Sequence, residues 1–207
     1  MEDKKYELTD ETMEFNGHTL HRIKALRDFG DVEEGDLGGF IESEDNLSHE
    51  GDCWVGDNAV VYDNAKVYEN AQVYGDARIY NEAIVYGRAE VTDEAKVYGN
   101  VEVSDYAQVY GNAKVYGEAG VWGNAEIYGN AGVCDDALVY DNARVFDEVK
   151  VYGKAEVYGD AQVCENAQVY GEASVFGDAI VEGKAKISEG EITKGIIDGR
   201  GKNIELD

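Results

Sequence analysis

From Val55 to Ile187 an aliphatic residue returns at every sixth position, 23 times in succession without one insertion. Four places after each of the first 22 stands a small residue, alanine in 20 cases and valine at Val101 and Val149. An amphipathic helix repeats its apolar face at three and four residues and a strand alternates at two, so neither produces a period of six. Each hexad must therefore hold a short strand and a bend. In Ala113-Lys114-Val115-Tyr116-Gly117-Glu118 the spacing predicts an extended triplet, Lys114-Val115-Tyr116, whose valine points inward and whose flankers point outward. Gly117-Glu118 then turns the corner, where glycine takes a positive φ without steric cost. The following alanine fills a corner too tight for a larger side chain.

An aliphatic residue followed four places later by a small one resembles the hexapeptide-repeat left-handed β-helix superfamily. The resemblance covers about residues 50 to 190, with the difference that glycine most often stands two places after the valine, as in Val115-Tyr116-Gly117. It implies an all-β fold, a single-stranded left-handed parallel β-helix shaped as a triangular prism, with three hexads to a coil. Counting strict hexads gives between seven and eight coils, stacked at ~4.8 Å into a prism ~35 Å tall. The absence of proline fits, because each interior coil needs its amide donors for the ladder.

Residues 1–50 break the period and are expected to form a capping segment over the exposed strand edges. Glu14 to Ile23 reads as a hairpin turning at Asn16-Gly17. Gly35-Asp36-Leu37-Gly38-Gly39 reads as a compact glycine loop before the first coil; no Lys or Ser/Thr follows it, so it lacks the make-up of a phosphate-binding loop. Residues 51–190 are the β-helix, and 191–207 are expected to leave the repeat as a tail or short terminal strand, since Glu191 replaces the small corner residue. The N-terminal segment together with Val-Tyr-Gly-Asn-Ala repeats also resembles uncharacterised phage and prophage proteins of gut bacteria, some labelled transferases by fold alone. That likeness implies a mobile-element origin and no particular reaction.

Charge changes the picture next. Lys plus Arg number 18 against 44 Asp plus Glu, a formal net charge of -26. Such a chain repels nucleic acid and anionic membranes and favours basic partners. With 43% hydrophobic residues and 15 tyrosines it still has the means to fold. No apolar run approaches the ~20 residues that cross a bilayer, and the acidic N-terminus lacks the layout of a secretory signal, so the expected location is the cytoplasm, that of the host cell if viral.

Candidate chemistry is sparse. The resemblance implies acyltransferases that rely on a histidine near a coil or inserted loop, and γ-class carbonic anhydrases with three histidines on zinc. Here His18, His21 and His49 all precede the regular repeat. His18 and His21 alternate on one strand and face opposite sides, a poor metal pair. Cys53 falls at an interior corner, while Cys134 and Cys164 project from different faces, so no disulfide is expected. The reading is no catalytic centre, no metal and no cofactor.

Assigning hexads to faces by steps of 18 leaves the surface as the informative part. One face carries the outward column Tyr62, Tyr80, Tyr98, Tyr116, Cys134, Tyr152, Tyr170, and beside it Arg78, Lys96, Lys114, Gly132, Lys150 and Lys186. This aromatic stripe lined by cations is the candidate ligand or partner surface. A second, more apolar face pairs Tyr68, Tyr86, Trp122, Tyr140, Tyr158 and Phe176 with Ile84, Gly120 and Leu138, and is the candidate for self-association into a homo-oligomer. The alternative is that stacked rings only stabilise neighbouring coils. Files of corner acids such as Asp57, Asp93, Asp147 and Glu165 read as a solvated rim.

The expectation for function is a non-catalytic protein that binds a basic host protein stoichiometrically, such as a nucleic-acid-handling defence factor. One alternative is an oligomeric sponge for a nucleotide-like signal held on the Tyr and Lys/Arg stripe. Another is a hexapeptide-repeat acyltransferase, for which His49 is the candidate residue. A structural part of a virion is a further possibility.

Overall fold

A computed structural model describes residues 4–199 and the backbone of 203–204. Three sheets form a parallel β-solenoid, one of 11 strands, one of 10 and one of 8, and each collects every third hexad. We name the faces by an early inward residue: the Val61 face, the Val67 face and the Val73 face. Most coil strands are two residues long, as in Gln108–Val109, with four-residue strands at Arg78–Asn81, Lys96–Gly99 and Lys114–Gly117.

The inward valines and corner alanines make one continuous core, and nearly all of them are completely buried. Pairing is in register at 18-residue steps: Val97 opposite Val115, Val103 opposite Val121, Val109 opposite Ile127. β-Branched aliphatic side chains therefore stack on one another along the prism axis, valine on valine or on isoleucine, and each coil buries its apolar atoms against those above and below. Between strands the corner alanine closes a turn, as where the Ala113 N–H donates to the Tyr110 carbonyl.

The corner two places after each inward residue from Val55 to Val181 has a left-handed backbone. Gly117 sits there at φ 81°, as expected, but the same position is held at φ values of 52° to 62° by ten acidic or amide residues, Asp57 and Glu165 among them. Asp and Asn tolerate this region better than other side chains, and here the side chain is used, as described below.

The N-terminal hairpin consists of β1 (Tyr6–Phe15) and β2 (His18–Ala25), antiparallel and turning at Asn16-Gly17. Its partner β3 (Leu37–Ile41) pairs antiparallel with β2 on one side and parallel with Val60–Val61 on the other, so the hairpin extends the Val61 face. Gly38 and Gly39 thus lie in a strand, where we expected a loop. A Cβ on Gly38 would fall 2.5 Å from both the Ile23 side chain and the Val55 carbonyl oxygen, so glycine is required for β3 to lie against the first coil. One 3-10 turn, Glu44–Asn46, follows.

The coil count also departs from expectation: the solenoid has about nine turns, not between seven and eight, since nine strands of the Val61 face run parallel from β3 to Lys186–Ile187. Ile41 pairs with Val61 and Leu47 with Val67, at 20-residue rather than 18-residue separations. At the other end Ile192 pairs with Val175 and Ile197 with Val181, after five-residue steps. A strict period of six passes over these coils because their corners differ in length. The expected tail over 191–207 accordingly begins as two more coil strands, and residues 200–202 and 205–207 lie outside the described residues.

Candidate functional site: aromatic columns, carboxylate corners and the cap junction

The residue after each inward position projects outward, and rings at consecutive coils stack. On the Val61 face Tyr62, Tyr80, Tyr98 and Tyr116 form a ladder with centroid spacings of 5.1, 4.8 and 5.1 Å, and Tyr152 and Tyr170 form a second one at 5.0 Å. Arg78, Lys96, Lys114, Gly132 and Lys150 lie in hydrogen-bonded register beside them. Spacing and register are those of the strands themselves, so the backbone repeat sets the ring geometry.

The stripe is not open along its whole length. Tyr62 is buried, covered by Phe15 and by His18, and it accepts a 3.3 Å hydrogen bond from the Asn16 side chain. Arg78 lies over the Phe15 ring at 5.2 Å. These two therefore hold the hairpin onto the first coils, and the part-exposed stripe runs from Tyr80 through Tyr170. Burial pushes the Tyr80 hydroxyl up to about 12; the Tyr116 hydroxyl rises to about 12, first through its hydrogen bond with Cys134 and then through burial.

On the Val67 face, Tyr68 stacks on Tyr86 at 5.0 Å, and Trp122, Tyr140, Tyr158 and Phe176 form a ladder with spacings of 5.1, 4.8 and 4.7 Å. Ile84 and Leu138 stand on the same face, and Gly120 leaves room for the Trp122 ring, which a Cβ there would meet at 2.5 Å. The hydroxyl edges of its rings are engaged, Tyr86 donating to Glu102 and Tyr140 to Glu156. A third ladder, Tyr110, Tyr128 and Phe146 at 4.8 and 4.9 Å, lies on the Val73 face. The same 18-residue step through the sequence finds it, although our reading of the faces passed over it.

The corner acids are not only a solvated rim. The Asp57 carboxylate accepts a 3.0 Å bond from the Gly75 amide, and the same contact to the residue 18 places on is made by Asp63, Glu69, Asp93, Asp105, Asp135, Asp141 and Asp147, at 2.9 to 3.2 Å. At these eight corners the amide of the left-handed residue turns toward the preceding coil, and the carboxylate beneath supplies its acceptor.

At the junction of cap and solenoid, His18 stands between two acids. Its Nδ1 is 3.0 Å from Glu42 Oε1 and its Nε2 is 3.4 Å from Asp63 Oδ1. Glu42 also accepts from the Asp63 amide at 2.7 Å, and Asp63 accepts from Asn81. The hydrogen bond to Glu42 raises the His18 pKa above 6.5, and the same bond holds Glu42 below 4.5. We expected no metal group, yet the ligand atoms of His18, Glu42 and Asp63 lie within 4.8 Å of one another. Both ring nitrogens face a different carboxylate, the geometry of an imidazolium bracing the cap.

The other histidines are also engaged. His21 Nδ1 is 3.4 Å from the Thr9 carbonyl oxygen. His49 stacks on Tyr6 at 4.3 Å and accepts from the Lys5 amide. Beneath it the buried Lys5 ammonium donates to the Cys53 carbonyl at 2.8 Å, the Gly51 carbonyl at 3.2 Å and the Cys53 sulfur at 3.2 Å. Cys53, Cys134 and Cys164 are all free thiols.

Two comparisons bear on this architecture. The family model described as "YdcK Beta solenoid repeat" matches residues 71–91. The fold is a hexapeptide-repeat β-solenoid. The relative named "Uncharacterized acetyltransferase YdcK", from Escherichia coli (strain K12), is 37% identical over 71 residues, which make up 30% of this chain and 22% of that protein. The match thus spans about a fifth of the relative's length. Among the described residues no helix is long and apolar enough to cross a membrane.

Proposed function

We propose that this chain is a non-catalytic binding protein that engages a basic protein partner through its files of corner carboxylates. The observation that carries this reading is the set of eight acids, Asp57 to Asp147, each fixed by the amide of the next coil. Fixed carboxylates keep their charge without the ordering cost that free surface side chains incur on binding. A chain with net charge -26 attracts cationic surfaces at long range. In the phage or prophage setting implied by the N-terminal resemblance, a nucleic-acid-handling defence factor is a partner of the right charge, and the host cytoplasm is the corresponding location. The relative's name raises acetyl transfer, but His49 lies packed under the cap against Tyr6, which favours a structural role. Self-association is assigned to the Trp122 and Leu138 region of the Val67 face.

The test exchanges Asp93, Asp105, Asp135 and Asp141 for Asn together, which keeps an acceptor at each corner and removes four charges. Wild type should capture a basic protein from host extract at low salt and lose it at high salt, and the variant should lose it at low salt with an unchanged melting temperature. Capture that is equal for variant and wild type overturns the reading. For self-association, light scattering of Leu138→Glu should show a smaller mass than wild type.

A further inference from the structure

The outward column of the Val61 face carries a tyrosine at every coil from Tyr62 to Tyr170 except one, where Cys134 stands between Tyr116 and Tyr152. The cation column is interrupted at the same level, because Gly132 pairs with Lys114 on one side and Lys150 on the other. Packing does not demand this glycine: a Cβ on Gly132 would meet nothing within 4 Å, whereas one on Gly120 would run into Trp122. The two small residues leave a notch of about 520 Å³ lined by Lys114, Tyr116, Lys150 and Tyr152, together with Asn130 and Gln168.

Tyr116 and Tyr152 are two coils apart, ~9.6 Å at the usual strand spacing. A flat ring placed at the Cys134 level, taking the place of the contact between the Tyr116 hydroxyl and the Cys134 thiol, would then lie ~4.8 Å from each, the spacing that the complete ladders show, 4.7 to 5.1 Å. The two lysine ammonium groups supply about two positive charges beside the gap, matching one phosphate monoester, which carries about -1.5 to -2. Glu148, which accepts from Asn130 at 2.7 Å, is also on the wall and disfavours a more highly charged polyphosphate.

We infer that the Gly132–Cys134 notch is a binding slot for a nucleoside monophosphate, whose base completes the ring ladder between Tyr116 and Tyr152 while its phosphate lies between Lys114 and Lys150. Base stacking on tyrosine beside cations is sequence-tolerant recognition, so shape and charge select the ligand more than base identity. The slot uses the cationic face rather than the corner acids, and so it stands independently of the basic-partner reading. It also needs one subunit only.

The test is titration calorimetry with AMP, GMP, CMP and UMP, with adenosine and ribose 5-phosphate as the ring-only and phosphate-only comparators. At least one monophosphate should bind, and both comparators should bind at least ~10-fold more weakly, since each lacks one half of the recognition. Cys134→Tyr, which puts a ring into the gap, should weaken binding at least ~10-fold while raising the melting temperature. Should that variant misfold, Gly132→Gln blocks the cation side and should produce the same loss. Lys114→Gln with Lys150→Gln should abolish the preference for AMP over adenosine. No binding of any monophosphate at millimolar concentration overturns the assignment, as does wild-type affinity in the folded Cys134→Tyr or Gly132→Gln protein.

Discussion

The Asp147 carboxylate accepts a 3.1 Å hydrogen bond from the amide of Glu165, the residue one coil further on at the same corner. Both residues have left-handed backbones, φ 62° and 60°. Repeated along the prism, this contact explains how so acidic a chain stacks its corners closely: half of each interaction is a backbone donor rather than another acid.

Asp141→Ala should therefore destabilise the protein by about 1–2 kcal/mol, since the Gly159 amide loses its acceptor and alanine keeps the left-handed strain. Asp141→Gly loses the acceptor but relieves the strain, and should cost less. Asp141→Asn should be close to wild type, because it retains both an oxygen acceptor and tolerance of the corner. Urea denaturation of the three variants checks the order.

The coil interior should respond to volume in both directions. Val115→Ala is expected to cost about 2 kcal/mol through lost burial and a residual cavity. Ala131→Leu forces a larger group into a fully buried corner and should cost at least about 2 kcal/mol. Both are read as shifts in denaturation midpoint, and equal stability for Ala131→Leu and wild type would show the corner to be roomier than described.

Cap docking should depend on pH through His18 and Glu42. His18 has a folded pKa above 6.5, so its contribution is fully present below pH 6.5 and is lost as pH rises through the folded value. Glu42 has a folded pKa below 4.5, so its contribution is present above pH 4.5 and is lost as pH falls through the folded value. The hairpin should be held most firmly between these limits, with Asp63 adding to the field on His18. Hydrogen exchange across β2 should show protection falling on the alkaline side in wild type. His18→Gln should remove that alkaline limb.

The thiols should be slow to react. Burial raises the pKa of all three, that of Cys164 up to about 11. A thiol reagent near neutral pH should label the half-exposed Cys134 first, Cys164 more slowly and Cys53 only on unfolding. Mass spectrometry of the labelled peptides gives the order, and early labelling of Cys53 would show the cap to be open in solution.

Burial of the Lys5 ammonium lowers its pKa, and its three acceptors offset part of that cost. Lys5→Met should loosen the cap by leaving the Gly51 and Cys53 carbonyls without this donor. Faster proteolysis within residues 6–25, with the melting of the solenoid little changed, is the expected result.

The hexad was legible from Val55 to Ile187 because each coil makes the same demand: one aliphatic group inside and one small group at the corner. Period alone therefore determined the all-β class, the direction of every valine and the 18-residue columns that bring Tyr98 beside Tyr116. The hairpin was legible for a local reason, the two-residue turn at Asn16-Gly17. Local pattern does not encode where a segment docks. That Tyr62 lies under Phe15, that His18 falls between Glu42 and Asp63, and that Ile41 and Ile197 join the coils across irregular corners all depend on contacts between residues distant in sequence. The role of the corner acids was hidden for a related reason, since an aspartate reads as solvated until the amide above it is placed. Repetition wrote the interior into the chain, and only three-dimensional packing decided which parts of the outer surface stayed open.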